Sequence, residues 1–199
     1  MNGVKKYGFV TAGHAVSEGD YIFKGINTTN YVQIGQCLTS INSADRRFDA
    51  AFIEAINGYY SDLSSSFTTN NGNRVTSTTT TSIAQNGVVY MCGCRSNEKS
   101  GIVLASTFAV SAGTTVFYSD VVLASYSCIP GDSGGLIYEL EGNTANPAGI
   151  QTFMITADTL TGWGLSYSIS PYYYGGGYYY SGYCKIGNVL NGIGVSIVA

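Results

Sequence analysis

Charge is scarce in this chain. Lys, Arg, Asp and Glu make up only 11% of its 199 residues, against roughly 25% in an average soluble domain. No basic run exists: Lys5-Lys6 and Arg46-Arg47 are isolated pairs, and the net charge is −3. A nucleic-acid backbone partner needs a basic footprint, so none is expected. No stretch approaches the ~20 apolar residues of a membrane-spanning helix. Histidine occurs once, at position 14, which leaves a zinc site with few candidate ligands. Helical periodicity is scarce as well. The five cysteines are an odd number, so at least one thiol stays unpaired in a monomer. Cys92 and Cys94 form C-G-C, too close for a metal-ligating pair, and packing cysteines with at most one disulfide are expected.

What fills the space left by charge is Gly, Ser, Thr, Asn and Tyr. Glycine stands at 26 of 199 residues, about twice its usual ~7%. Hydrophobic residues are 45% of the chain, enough to form a core and to exclude intrinsic disorder. The length suits one all-β unit of two packed barrels. Short strand-like runs punctuated by Gly, Asn and Ser lie at 8–12, 31–34, 50–56, 88–94, 102–105, 114–118, 121–126, 136–140 and 149–155. Near the end, Ile186, Val189, Leu190 and Ile193 share one helical face and predict a short helix over 186–193. Residues 64–82 are rich in Ser, Thr and Asn and read as a linker. The expected organisation is therefore a first barrel at 1–63, a linker at 64–82, a second barrel at 83–185 and a helix with tail at 186–199. Residues 171–183 read PYYYGGGYYYSGY, a surface loop whose glycines bend and whose tyrosines pack, or a tyrosine-lined ligand subsite. Thirteen residues are too few for a structural array.

Chemistry enters with a glycine-packed turn, Cys128-Ile129-Pro130-Gly131-Asp132-Ser133-Gly134-Gly135, running into apolar Leu136-Ile137-Tyr138. A nucleophile must present its oxygen while backbone N–H groups converge on the developing oxyanion, and glycines permit that turn. Ser133 is the candidate nucleophile, with the N–H groups of Gly131 and Ser133 as oxyanion donors. A serine needs a base. The single histidine, His14, follows Thr11-Ala12-Gly13 at the mouth of an apolar strand. The base in turn needs a carboxylate to hold its tautomer. Asp49 heads Ala50-Ala51-Phe52-Ile53, a strand that can carry a buried carboxylate; Asp45, beside Arg46-Arg47, is the competitor.

T-A-G-H, D-A-A-F-I and G-D-S-G-G, in that order, resemble the chymotrypsin-like serine peptidases. The wording Gly8-Phe9-Val10-Thr11-Ala12-Gly13-His14, Cys94-Arg95-Ser96 followed by Ser100-Gly101, Pro130 before the serine motif and the ending Gly192-Ile193-Gly194-Val195-Ser196-Ile197 are similar to the bacterial branch of streptogrisins and α-lytic protease. The resemblance implies an all-β fold of two six-stranded antiparallel Greek-key barrels with the triad His14, Asp49, Ser133 between them. It implies an endopeptidase working through an acyl-enzyme, on polypeptide substrates, as a secreted monomer without metal or organic cofactor. Residues 149–154 would be the strand that pairs with substrate, with Thr152, Phe153 and Met154 touching it. Thr152 would take the place of a serine near the triad carboxylate. Asp132 would shape the oxyanion turn. Ser127, Cys128 and Ile129 would wall the pocket for the side chain preceding the cleaved bond (P1). No acidic residue stands there, so an apolar or aromatic P1 is expected rather than Lys or Arg.

The sequence also departs from that pattern. Only 13 residues precede His14, so an incomplete first barrel is expected, with signal peptide and pro-segment upstream. Ala15 stands where relatives often carry cysteine. Cys128 could pair with Cys184. Two residues, not three, separate Cys128 from Gly131. A non-catalytic relative acting as a binding module is the alternative that the short N-terminus raises.

Overall fold

The computed structural model describes residues 5–25, 29–42, 48–56, 58–112 and 115–198. The expected truncation at Met1 and the competing carboxylate Asp45 lie outside the described residues. The strands are β1 (Gly8–Thr11), β2 (Tyr21–Gly25), β3 (Tyr31–Ile41), β4 (Ala50–Ala55), β5 (Ser66–Thr69), β6 (Gly72–Thr76), β7 (Val88–Gly93), β8 (Asn97–Ala112), β9 (Thr115–Ala124), β10 (Leu136–Glu141), β11 (Thr144–Thr156), β12 (Tyr172–Tyr174) and β13 (Gly177–Lys185). Two short helices, α1 (Ala157–Gly162) and α2 (Ile186–Ile193), complete the described chain. No helix among the described residues is long and apolar enough to cross a membrane.

Two sheets divide these strands. Among the described residues the smaller holds four, in the order β1-β4-β3-β2. That is short of a six-stranded barrel, in keeping with an incomplete first unit. Ala51 and Ile53 alternate inward along β4 and pack with Cys37, Phe9, Val16 and Ile22. The larger sheet runs β12-β13-β9-β8-β7-β10-β11-β6-β5. An additional pairing of β13 with β11 closes its middle into a ring of six antiparallel strands, the second barrel. Val89, Met91, Val103, Tyr126, Ile137 and Tyr183 fill that ring.

The remaining strands come from segments that read as linker and loop. Within residues 64–82 the hairpin β5–β6 joins the barrel through a short parallel pairing, Thr144 with Val75 and Ala145 with Thr76. Its anchor is a buried ion pair: Arg74 donates Nε to Glu98 Oε2 and a second guanidinium nitrogen to Oε1, both at 2.9 Å. Asn71 Nδ2 and the Tyr138 hydroxyl donate to the same carboxylate. Burial pushes the Glu98 carboxyl up, but these donors outweigh it and hold it down at about 2. The tyrosine-rich segment is a hairpin rather than an unpaired loop: Tyr172 faces Tyr179 and Tyr174 faces Gly177 across a Gly175-Gly176 turn. The predicted 186–193 helix forms with Ile186 and Val189 buried, and α2 packs across the seam between the two sheets.

That seam is what positions the site. Phe48 and Ala50 from the first unit meet Val121, Ile150 and Cys184 from the second and Val189 from α2, with Tyr118 and Phe153 packed against them.

Candidate active site

His14 sits in a single 3₁₀ turn, Gly13–Ala15, immediately after β1. β1 pairs with β4 so that Thr11 faces Ala51; the chain leaving β1 therefore runs beside Asp49, just ahead of β4. The approach is tight. A Cβ on Gly13 would stand 2.4 Å from the Ile41 carbonyl oxygen and 2.9 Å from Asp49 Oδ1, so only glycine fits. The Ser40 hydroxyl reaches the carbonyls of Gly13 and Val16 at 2.9 and 2.8 Å and fixes the turn.

Asp49 is fully buried. Its Oδ1 accepts the His14 backbone N–H at 2.8 Å, and its Oδ2 lies 2.5 Å from His14 Nδ1. With Nδ1–H donated to the carboxylate, Nε2 is left as the acceptor for the Ser133 hydroxyl, 3.0 Å away. One imidazole thus bridges a buried carboxylate and a hydroxyl that are 84 positions apart in the sequence. The hydrogen bond to Asp49 raises the His14 pKa above 6.5; burial pulls it down less, and the carboxylate's charge adds to the rise.

Two side chains that sequence reasoning missed also touch Asp49. The Asp49 backbone N–H donates to Cys184 Sγ at 3.3 Å. Burial pushes that thiol up to about 12, so it stays neutral beside the carboxylate. The Tyr118 hydroxyl donates to Oδ2 at 3.5 Å, while its ring stacks on Phe153 at 5.6 Å and 8°. Burial and the Asp49 charge both raise the Tyr118 pKa and keep it a donor. The Thr152 hydroxyl donates to the Ile150 carbonyl at 2.9 Å. Nothing in the local sequence of Tyr118 or Cys184 signals this: both lie within strands, and only tertiary packing brings them to Asp49.

The serine turn is held from below. Asp132 is buried and accepts four hydrogen bonds: Arg95 N–H at 2.7 Å, Ser96 N–H at 2.9 Å, Ser96 Oγ at 2.5 Å and Ile129 N–H at 2.9 Å. Burial alone would raise its carboxyl, but these donors win and lower it. Gly131 takes φ +99°, a left-handed conformation that favours glycine. The N–H groups of Asp132, Gly134 and Gly135 are spent on Ile129, Gln151 and Asp132 carbonyls. Those of Gly131 and Ser133 have no partner among the described residues. If Asp132 holds this turn in register, Asp132→Ala should lower kcat on the order of 10²-fold. Steady-state kinetics should show KM little changed; an unaltered kcat would mean the turn holds itself.

Of the expected substrate contacts, Cys128 and Thr152 are buried, and Ser127, Ile129, Phe153 and Met154 are half-buried around the same turn. All five cysteines are free thiols. Cys128 and Cys184 do not pair: Cys128 Sγ meets Ser181 Oγ at 3.2 Å and Gln151 Nε2 at 3.2 Å, whereas Cys184 Sγ faces Asp49.

No family model matches this sequence, and no curated protein matches it. Solved structures do. A Nocardiopsis protease superposes with a TM-score of 0.68 at 19% identity, covering 98% of this chain and 86% of that one. Thermobifida fusca protease A gives 0.65 at 17% identity, covering 96% and 84%. Cellulomonas bogoriensis chymotrypsin gives 0.63 at 17% identity, covering 96% and 85%. At such identities the likeness shows the fold: this chain has the fold of bacterial chymotrypsin-like serine proteases.

Proposed function

We propose that this protein is a serine endopeptidase in which Ser133 is the nucleophile, His14 the general base and acid, and Asp49 the carboxylate that orients the base. The observation that carries the reading is the unbroken line of hydrogen bonds from Asp49 through His14 to Ser133. Ser133 Oγ attacks the scissile carbonyl while His14 Nε2 takes its proton. Asp49 stabilises the imidazolium that forms, and the Gly131 and Ser133 N–H groups receive the oxyanion. His14 then protonates the leaving amine. Water, deprotonated by the same imidazole, releases the acyl-enzyme.

The substrate strand is β11. Beyond Ile150 it has parted from β10, and among the described residues no other strand pairs with that side from Thr152 onward, which leaves it for an extended peptide. Ser127, Cys128, Ile129 and Met154 bring no charge to the P1 region, which favours an uncharged, apolar side chain there. The same reading carries a polypeptide substrate and a secreted, monomeric protein, with units at 1–63 and 83–185 supplying the two walls of the cleft.

Incubating the purified chain with an unfolded protein substrate should release peptides, and a fluorophosphonate should abolish that release. Proteolysis that survives the inhibitor but stops with a chelator would replace this reading with another. The pH profile gives an independent check. His14 must be neutral to act, and its pKa is raised. Activity should therefore fall with decreasing pH along a limb whose midpoint lies above the ordinary 6.5. A flat kcat/KM down to about pH 4 excludes a histidine base.

A further inference from the structure

In the peptidase reading above, on which this inference rests, the P1 side chain enters between two segments: Ser127 to Ile129 ahead of the serine turn, and Thr152 to Met154 in β11. The side chains at these segments already meet one another. Gln151 Nε2 donates to Cys128 Sγ at 3.2 Å and to the Phe153 carbonyl at 3.0 Å. Its Oε1 accepts the Tyr126 hydroxyl at 2.5 Å. From β13, Ser181 Oγ donates to the Tyr126 carbonyl at 2.6 Å and lies 3.2 Å from Cys128 Sγ. From β12, the Tyr172 hydroxyl comes within 3.4 Å of the same sulfur.

The cluster is closed and saturated. Tyr126, Cys128 and Ser181 are 0% exposed and Gln151 is 2% exposed. Among the described residues no buried side-chain nitrogen or oxygen lacks a partner. Met154 and Tyr172 pack over the hydrophobic cluster that contains Tyr126 and Cys128. Burial pushes the Cys128 thiol up and keeps it uncharged. An aromatic or long side chain entering here would have to displace packed atoms and strand buried polar groups, a combination that interiors resist.

We propose that Tyr126, Gln151, Cys128 and Ser181, capped by Met154 and Tyr172, close the P1 pocket, so that the enzyme cleaves after small side chains such as Gly, Ala and Ser and rejects aromatic ones. The tyrosine hairpin then has a role: β12 delivers Tyr172 to the pocket wall. This replaces the apolar or aromatic preference that the sequence suggests with a preference for small, uncharged side chains.

The test is a series of peptide anilides identical except for P1 Ala, Ser, Leu or Phe, run on untreated enzyme whose active-site concentration is fixed by titrating a parallel aliquot with a fluorophosphonate, a reagent that needs no P1 pocket. Wild type should favour Ala over Phe by ~100-fold or more in kcat/KM. The double variant Met154→Ala, Tyr172→Ala should shrink that ratio by about 10-fold or more, because the cap is removed. A preparation whose aliquot labels fully but whose untreated enzyme prefers Leu or Phe, or cleaves none of the series, overturns the closed pocket and leaves the peptidase reading standing. Enzyme that cannot be labelled overturns the peptidase reading and this inference with it.

Discussion

Ser133→Ala should lower kcat by about 10⁶, the size of effect that follows removal of the nucleophile from a triad acting as a unit. Among the described residues the hydroxyl has one partner, His14 Nε2. Its loss therefore removes the bond-forming atom and leaves the scaffold intact. The turn that presents it is held by Asp132 and by the backbone bonds of Gly134 and Gly135, none of which uses Oγ. The melting temperature should stay close to wild type, and KM should change little. Some acceleration over water should persist, because the oxyanion donors belong to the backbone and survive the substitution. Rate assays at saturating substrate, with thermal unfolding as a control, decide the matter. A variant retaining activity within 10-fold would mean that another group attacks the substrate.

Asp49→Asn should cost on the order of 10⁴ in kcat. The reason is geometric. Asp49 uses both oxygens on His14, accepting the backbone N–H with Oδ1 and the ring Nδ1–H with Oδ2. An amide has one acceptor and one donor. If its oxygen keeps the backbone N–H, its NH₂ faces Nδ1 and forces the ring proton onto Nε2, where it cannot accept the serine proton. The imidazolium also loses its counter-charge. Shape and volume are conserved, so folding should be little affected. Asp45→Asn is the control, since it is the competing carboxylate of the sequence reading. A 10⁴-fold loss there, with Asp49→Asn active, would exchange the two assignments.

That His14, Asp49 and Ser133 meet was readable because each of the three motifs is specific to few contexts. A lone histidine after an apolar strand, a carboxylate at the head of another and a glycine-packed serine turn each specify a local conformation. The pairing of β1 with β4 then does the rest, by bringing Gly13-His14 against Asp49. Helix α2 was equally readable, since Ile186, Val189, Leu190 and Ile193 repeat with helical spacing. The hairpin β5–β6 was not. Its Ser, Thr and Asn residues read as linker, and what orders it is remote: the parallel pairing to β11 and the Arg74–Glu98 ion pair. The strands read separately at 114–118 and 121–126 run together as β9, through an irregularity at Asp120 with φ +60°. The tyrosine segment pairs into β12–β13 because its two tyrosine runs flank a glycine turn in register. Tyr118 and Cys184 reach Asp49 only through tertiary packing, which local pattern does not encode.

Glu98 and Asp132 belong to adjoining parts of one region. The turn between β7 and β8 supplies Arg95 and Ser96 to Asp132, while Glu98, at the start of β8, latches the β5–β6 hairpin. The segment outside the barrel is thereby tied to the strand that leads out of the turn holding Asp132, next to Ser133. Buried ion pairs of this kind are costly to break from one side, so Glu98→Gln should lower the melting temperature more than it lowers kcat.

The most direct measurement is the site of covalent modification by a fluorophosphonate, mapped by mass spectrometry on the intact, folded protein. The account predicts one adduct per chain, on Ser133, formed more slowly as pH falls through the His14 titration and lost in His14→Ala. An adduct on another residue, or undiminished labelling of Ser133 without His14, would contradict it.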